Sequence, residues 1–141
     1  YGYPDGQGFL RAFQHSKKKP VVINFDAHLD VRPLDKGLSS GTPFFRLLEN
    51  SAVDFHFFEV GVQEHCNSRE HIQWCEKKKG RILYQKDLEK IGFVQGIKKA
   101  LLHLKGHPTF ISVDIDGFTS AVAPGCSQSW PTGFGPRECF E

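Results

Sequence analysis

Two apolar runs in this chain each end in acidic residues at every second position. The first acidic cluster consists of Asp26, His28 and Asp30, and the second acidic cluster consists of Asp114 and Asp116. Because residues i, i+2 and i+4 of an extended backbone point the same way, the members of each cluster can converge on one point. Four carboxylates and one imidazole are costly to hold together unless a cation lies among them. The two clusters therefore predict a metal site.

The donor types favour a hard or borderline divalent ion such as Mn²⁺ over a soft, thiolate-bound one. Two ions about 3.5–4 Å apart, bridged by shared carboxylates, use so many acidic ligands more naturally than one ion does. Such a pair supplies hydroxide at neutral pH, which indicates hydrolysis of a poor electrophile. A single aspartate after a strand is more often a turn residue or a helix cap. The motifs D-A-H-x-D and S-x-D-x-D, each closing an apolar run, are much more specific.

Strands and amphipathic helices alternate along the chain, which is typical of a parallel sheet covered on both faces. The predicted strands are 20–25, 55–62, 81–84 and 109–114, and the first two predicted helices are 6–16 and 43–50. Asn67 with Glu70 three residues later predicts a capped helix that runs to Lys79. Asp87 is the predicted cap of one long helix that extends past Leu104. Ligands of such sheets bind beyond the carboxyl ends of the strands, where both acidic clusters lie.

The composition limits the classes of partner. The 141 residues fit a single domain, and 18 basic against 16 acidic residues give a net charge of only +2. This balance offers no electrostatic case for binding nucleic acid or an anionic membrane. No apolar run approaches the roughly 18 residues that a membrane span needs. The four cysteines form no C-x-x-C pair, so we expect neither a zinc ribbon nor a disulfide framework, and a cytoplasmic location.

The segments Phe25–Asp30 and Ser112–Asp116 resemble the two central signatures of the ureohydrolase family, which includes arginase, agmatinase and formimidoylglutamase. The resemblance implies a three-layer α/β/α fold with a mainly parallel sheet, and two Mn²⁺ ions per subunit. Family members take a further histidine ligand from a Gly-Gly-x-His motif that this chain does not contain. We therefore expect residues 1–141 to be a single partial domain, incomplete at both ends, that belongs to a homo-oligomer when full length.

The resemblance also implies a role for each member of the two clusters. Asp26 and Asp114 would bridge both ions. Asp30 would complete the ligands of one ion, while His28 and Asp116 would complete those of the other. Asp30 would in addition be the catalytic residue that accepts the proton of the attacking water and passes it to the departing amine.

The loop after the first cluster bears on the substrate. Arg32 can bind a carboxylate through two parallel hydrogen bonds, and Ser40 stands where arginases and agmatinases typically carry a histidine. This combination is similar to formimidoylglutamase, which implies hydrolysis of N-formimino-L-glutamate to L-glutamate and formamide in histidine degradation. Arg32, Ser39 and Ser40 are the predicted substrate contacts. Two alternatives stay open, namely that Arg32 only neutralises the acidic cluster and that the serines are ordinary loop residues.

Two other functions compete with this interpretation. One is a guanidino hydrolase of the agmatinase or arginase type. Arg32 disfavours it because its substrates are cationic, and Ser40 disfavours it because such enzymes typically carry a histidine at that position. The other is a metal-poor, non-catalytic relative that acts as a binding subunit. The presence of all five candidate ligands disfavours that second alternative, since a scaffold has no physical need for them.

Overall fold

A four-stranded parallel sheet forms the centre of the computed structural model, which describes residues 2–140. Its strands are β1 (Val21–Phe25), β2 (His56–Val62), β3 (Arg81–Tyr84) and β4 (Thr109–Val113). They lie in the order β3-β2-β1-β4, so β1 pairs in parallel with both β2 and β4. The predicted parallel arrangement is confirmed. The strand that leads into the first acidic cluster therefore neighbours the strand that leads into the second.

Helices cover both faces of this sheet. They are α1 (Gly2–Ala12), α2 (Pro43–Asn50), α3 (Arg69–Lys77), α4 (Gln85–Ile91), α5 (Phe93–Leu101) and α6 (Pro136–Phe140). Successive strand residues face opposite sides, so Val22 packs with α1, α2 and α3, whereas Val21 packs with α4 and α5. The expected three-layer α/β/α arrangement is thus confirmed. Within residues 2–140, no helix combines the length and apolar character that crossing a membrane requires.

The covering layer is thinner over β4, which lies at the edge of the sheet. Ile111 and Val113 face the α4 and α5 side, yet they remain 58% and 56% exposed. On the opposite side, Phe110 is partly buried against Phe9 of α1, with ring centroids 5.8 Å apart. One face of β4 is therefore packed and the other is largely open.

The prediction of a single long helix after Asp87 is wrong. The structure contains two helices separated by Gly92, whose φ of 87° and ψ of 127° interrupt the helical backbone. Glycine tolerates this conformation because it lacks a Cβ. The interruption lets Leu88 of α4 and Ile97 of α5 pack against the same face of the sheet. Asp87 lies inside the first turn of α4 and is not its cap.

The predicted boundaries of two other helices also need correction. Ser68, not Asn67, caps α3, since its Oγ accepts a hydrogen bond from the backbone N–H of His71 at 3.2 Å. This helix ends at Lys77, two residues before the predicted end. The first helix begins at Gly2 and ends at Ala12, instead of spanning 6–16. Asn67 therefore does not cap α3, and its side chain instead bonds to the backbone of Ala27 and Leu29.

We expect Gly92→Ala to lower the free energy of unfolding by about 1–3 kcal/mol, because a Cβ is strained at a φ of 87°. Gly125→Ala is the matched control, since an added Cβ there meets nothing within 4 Å, and should change stability by less than about 0.5 kcal/mol. Urea unfolding followed by circular dichroism measures both variants. Equal stability of the two variants would contradict the proposed role of Gly92.

Candidate metal centre

Backbone pairing places Asp26 beside Asp114. In the β1–β4 register, Phe25 is the partner of Val113, so each aspartate follows a paired residue. The Asp114 N–H donates to the carbonyl of Phe25 at 2.8 Å, and the Asp26 N–H donates to the carbonyl of Val60 at 3.0 Å. The hydrogen-bond ladder therefore continues one residue beyond the strands and holds the two carboxylates at the carboxyl edge of the sheet.

The five predicted ligands form two sets that share Asp26. The Asp30 set contains Asp26, Asp30 and Asp114, and the His28 set contains Asp26, His28 and Asp116. Within each set, one possible ligand atom per residue lies within 4.8 Å of the others. The structure thus gathers all five residues into two adjacent groups. It places Asp114 in the Asp30 set only, and its role as a second bridge stays a prediction.

Turns, and not the predicted extended backbone, bring the alternating residues of each cluster together. Both strands end before their acidic residues, and each leading aspartate accepts a hydrogen bond from the N–H two positions later. The Oδ1 of Asp26 accepts from His28 at 2.7 Å, and that of Asp114 accepts from Asp116 at 3.1 Å. These are Asx-type turns. The turn residue and the ligand candidate are therefore the same aspartate in each cluster.

Asp30, the last member of the first cluster, does not have an extended backbone. Its φ of 50° is left-handed, a conformation that aspartate adopts more readily than most residues. Its carbonyl accepts hydrogen bonds from the N–H groups of Phe44 and Phe45 at 3.1 and 3.3 Å. The start of α2 thereby fixes the backbone turn that returns the Asp30 carboxylate towards Asp26.

His28 holds the second set together. Its Nδ1 lies 3.0 Å from Oδ2 of Asp116 and 3.6 Å from Oδ1 of Asp26. The hydrogen bond to Asp116 and the adjacent carboxylate of Asp26 raise the pKa of His28 to about 10. At neutral pH the imidazole of the metal-free chain therefore carries a proton and a positive charge that offsets the neighbouring carboxylates.

Asp26 and Asp30 resist ionisation, whereas Asp116 ionises more readily than usual. Burial raises the pKa of Asp26 to about 7, and burial with the charges of Asp26 and Asp114 raises the pKa of Asp30 to about 8. For Asp116, the hydrogen bonds from His28 and Asp26 outweigh burial and hold the pKa below its usual value. The buried Oδ1 of Asp116 makes no hydrogen bond within residues 2–140. Crowded carboxylates and an unpartnered oxygen fit the donor requirements of divalent cations.

A buried amide lies behind the first cluster, at a position where the sequence pattern predicts no functional residue. The Nδ2 of Asn24 donates to Oδ2 of Asp26 at 3.1 Å and to Oε2 of Glu59 at 3.0 Å. Glu59 is completely buried, and burial raises its pKa well above the usual range. Asn24 and Glu59 are the buried polar residues of β1 and β2, whose other buried residues are apolar or glycine, and they are register partners. That interruption of the apolar pattern is the signal that could have identified them.

The predicted substrate residues lie on two sides of Asp30. Ser39 and Ser40 line a cleft of about 650 Å³ together with Asp26, Asp30 and Asp114. In contrast, Arg32 lines an adjoining cavity of about 210 Å³, with Asp30 again in the wall. The other polar residues of this smaller cavity are His28, Cys66, Asn67, Ser68 and His71. The three predicted contacts therefore do not form one surface.

Comparison with known sequences identifies related proteins. The sequence profile of the arginase family matches residues 3–141. A formimidoylglutamase of Halalkalibacterium halodurans is 36% identical over 128 residues, which cover 88% of this chain and 40% of that protein. The chain thus spans less than half the length of this relative.

Solved structures resemble the chain over nearly its whole length. A Trypanosoma cruzi formiminoglutamase with Mn²⁺₂ gives a TM-score of 0.85 at 35% identity, and the match covers 99% of this chain and 46% of that chain. Arginase from Bacillus subtilis gives a TM-score of 0.75 at 18% identity, covering 96% of this chain and 53% of that chain. The second similarity establishes the fold alone.

We expect the affinity of the chain for Mn²⁺ to increase with pH, and binding to release protons. Asp26, Asp30 and His28 have raised pKa values of about 7, 8 and 10, and each must lose its proton before it can bind a cation. Calorimetric titrations between about pH 6 and pH 8.5, in buffers of different ionisation enthalpy, measure both quantities. Asp54→Asn, which alters an exposed carboxylate paired with Lys19, should leave the pH dependence unchanged. Affinity that does not vary with pH would contradict this expectation.

Proposed function

Since the chain belongs to the arginase family, we propose that it contributes the metal centre of a binuclear manganese hydrolase that converts N-formimino-L-glutamate to L-glutamate and formamide. The convergence of five candidate ligands into two sets that share Asp26 carries this proposal. The relatives named formimidoylglutamase or formiminoglutamase support the choice of substrate. Because the chain spans less than half their length, the activity is proposed for a protein that contains this chain.

Two Mn²⁺ ions would be held by the two sets of ligands. Asp26, Asp30 and Asp114 would hold one ion, and Asp26, His28 and Asp116 would hold the other, with Asp114 as a second shared ligand. When bound, such a pair lowers the pKa of a coordinated water and offsets negative charge that develops during hydrolysis. The turns that fix both leading aspartates supply a pre-organised donor set.

Asp30 is the proposed proton carrier. It lines both the larger cleft and the smaller cavity, so it borders each space that a substrate could occupy. Addition of water to the formimino carbon forms a C–O bond, and the bond from that carbon to the glutamate nitrogen then breaks. Asp30 accepts one proton from the water and delivers it to the departing nitrogen, which leaves as the amine of L-glutamate. The second proton of the water ends on the formimino nitrogen, and the carbon that bears the new oxygen becomes the carbonyl carbon of formamide.

Arg32 is the proposed contact for a substrate carboxylate. Its side chain lies over Gly41, where an added Cβ would come within 2.8 Å of the Arg32 Cδ. Its backbone N–H donates to the Gly41 carbonyl at 2.8 Å. The backbone contact anchors Arg32 beside the cavity that Asp30 also lines, and its side chain is exposed there. A guanidinium at this position suits an anionic glutamate moiety and opposes a cationic guanidino compound.

We expect Arg32→Gln to raise the KM for N-formimino-L-glutamate about tenfold or more with little change in kcat, because a charge-assisted contact to the substrate is lost. Steady-state assays of a form extended to the length of the relatives, with N-formimino-L-glutamate, agmatine and arginine as substrates, measure this change. Arg11→Gln, which alters an arginine in the last turn of α1, is the control and should behave as the parent. Turnover of agmatine without turnover of N-formimino-L-glutamate would overturn the substrate assignment.

We expect Asp30→Asn to lower kcat by about 10²-fold or more, since an amide cannot carry the proton. Manganese content must be measured in the same samples, because Asp30 is also a proposed ligand. Asp35→Asn, in the short 3-10 helix of the same loop, should retain parental activity. Normal turnover by Asp30→Asn with both ions bound would show that the proton-carrier role is wrong.

A further inference from the structure

Asn67 joins the turn after β2 to the segment between Asp26 and Asp30. Its Oδ1 accepts a hydrogen bond from the N–H of Leu29 at 3.0 Å. Its Nδ2 donates to the carbonyl of Ala27 at 2.9 Å and to that of Gln63 at 2.9 Å. Both N–H bonds of the amide and its carbonyl therefore have backbone partners.

Only a carboxamide meets all three requirements from this position. The carbonyls of Ala27 and Gln63 require two donors on one atom, while the Leu29 N–H requires an acceptor. A carboxylate offers no donor, and a hydroxyl offers only one. The partners themselves thus fix both the residue type at position 67 and the orientation of its amide.

The peptide groups that Asn67 binds lie on either side of His28. The Ala27 carbonyl also accepts from the backbone N–H of Gln63 at 3.0 Å, so the turn after β2 holds it twice. The N–H of Leu29 is held by the side chain of Asn67. Between these two points the chain projects His28, whose Nδ1 lies 3.0 Å from Asp116.

We propose that Asn67 is a positioning residue that sets His28 relative to Asp26 and Asp116, and thereby sets the affinity of the His28 set for a divalent cation. This inference rests on the metal centre proposed above. Asn67 touches the backbone beside a ligand and is not itself a ligand. Its effect should fall on the His28 set more than on the Asp30 set, because Asp30 is separately anchored by the N–H groups at the start of α2.

Ser68 provides a control that separates positioning from helix stability. It is the next residue, and its Oγ caps α3 through the N–H of His71. Ser68→Ala therefore weakens the helix but leaves every contact of the Asn67 side chain in place. A purely structural role for Asn67 would make its variants behave like Ser68→Ala.

The test is calorimetric titration of the parent chain and of Asn67→Ala, Asn67→Asp and Ser68→Ala with Mn²⁺. Electron paramagnetic resonance of the same samples detects the coupled ion pair, and thermal unfolding measures stability. We expect both Asn67 variants to keep one site near parental affinity and to weaken the other about tenfold or more, with loss of the coupled signal. Ser68→Ala should unfold at a lower temperature yet retain both affinities.

Asn67→Asp keeps the acceptor for Leu29 and is close in size to asparagine, so it decides the question if Asn67→Ala does not fold. Parental affinity at both sites in the Asn67 variants would overturn the positioning role while leaving the proposed hydrolase intact. The same loss in Ser68→Ala would also overturn it. Fewer than two ions bound by the parent chain would overturn both the metal centre and the inference that rests on it.

Discussion

The carboxylates of Asp26, Asp30, Asp114 and Asp116 repel one another where β1 and β4 end, and much of the surrounding structure offsets this repulsion. His28 places a positive charge between two of them. Backbone N–H groups bind Asp26 and Asp114, and the Asn24 amide binds Asp26 from within the core. Where these donors do not suffice, burial and like charge favour the protonated carboxyl group. A divalent cation is the natural complement of such a site, because it replaces several of these contacts at once.

The sequence predicts the strands and the meeting of the two clusters well, because both depend on short-range patterns. Four apolar runs separated by amphipathic segments leave few arrangements other than a parallel sheet, and the carboxyl ends of such strands share one edge. The alternate spacing correctly predicts that the side chains converge, but an extended backbone is not the cause. The structure replaces it with Asx turns at Asp26 and Asp114, in which the same i, i+2 spacing arises from a side chain bonding to the backbone.

Contacts between distant segments could not be predicted in the same way. Asn67 lies 38 residues from Leu29 along the chain, and the local sequence pattern wrongly predicts it to be the cap of α3. Glu59 and Asn24 meet only because β1 and β2 pair in one register. The helix is interrupted at Gly92 because α4 and α5 pack separately against the sheet. A glycine in the sequence does not by itself show that a helix ends there. In each case the deciding partner lies on another element.

The pairing of Phe25 with Val113 has a consequence for how chains of this kind can vary in length. One residue inserted into or deleted from β4 would turn alternate side chains to the opposite face and move Asp114 away from Asp26. Residues 32–40, in contrast, are exposed and connect two anchored points, Asp30 and the start of α2. Related sequences should therefore show gaps in this loop and none within β1 or β4. The positions of the acidic residues relative to β1 and β4 should therefore stay constant among related sequences, while the length of the loop should vary.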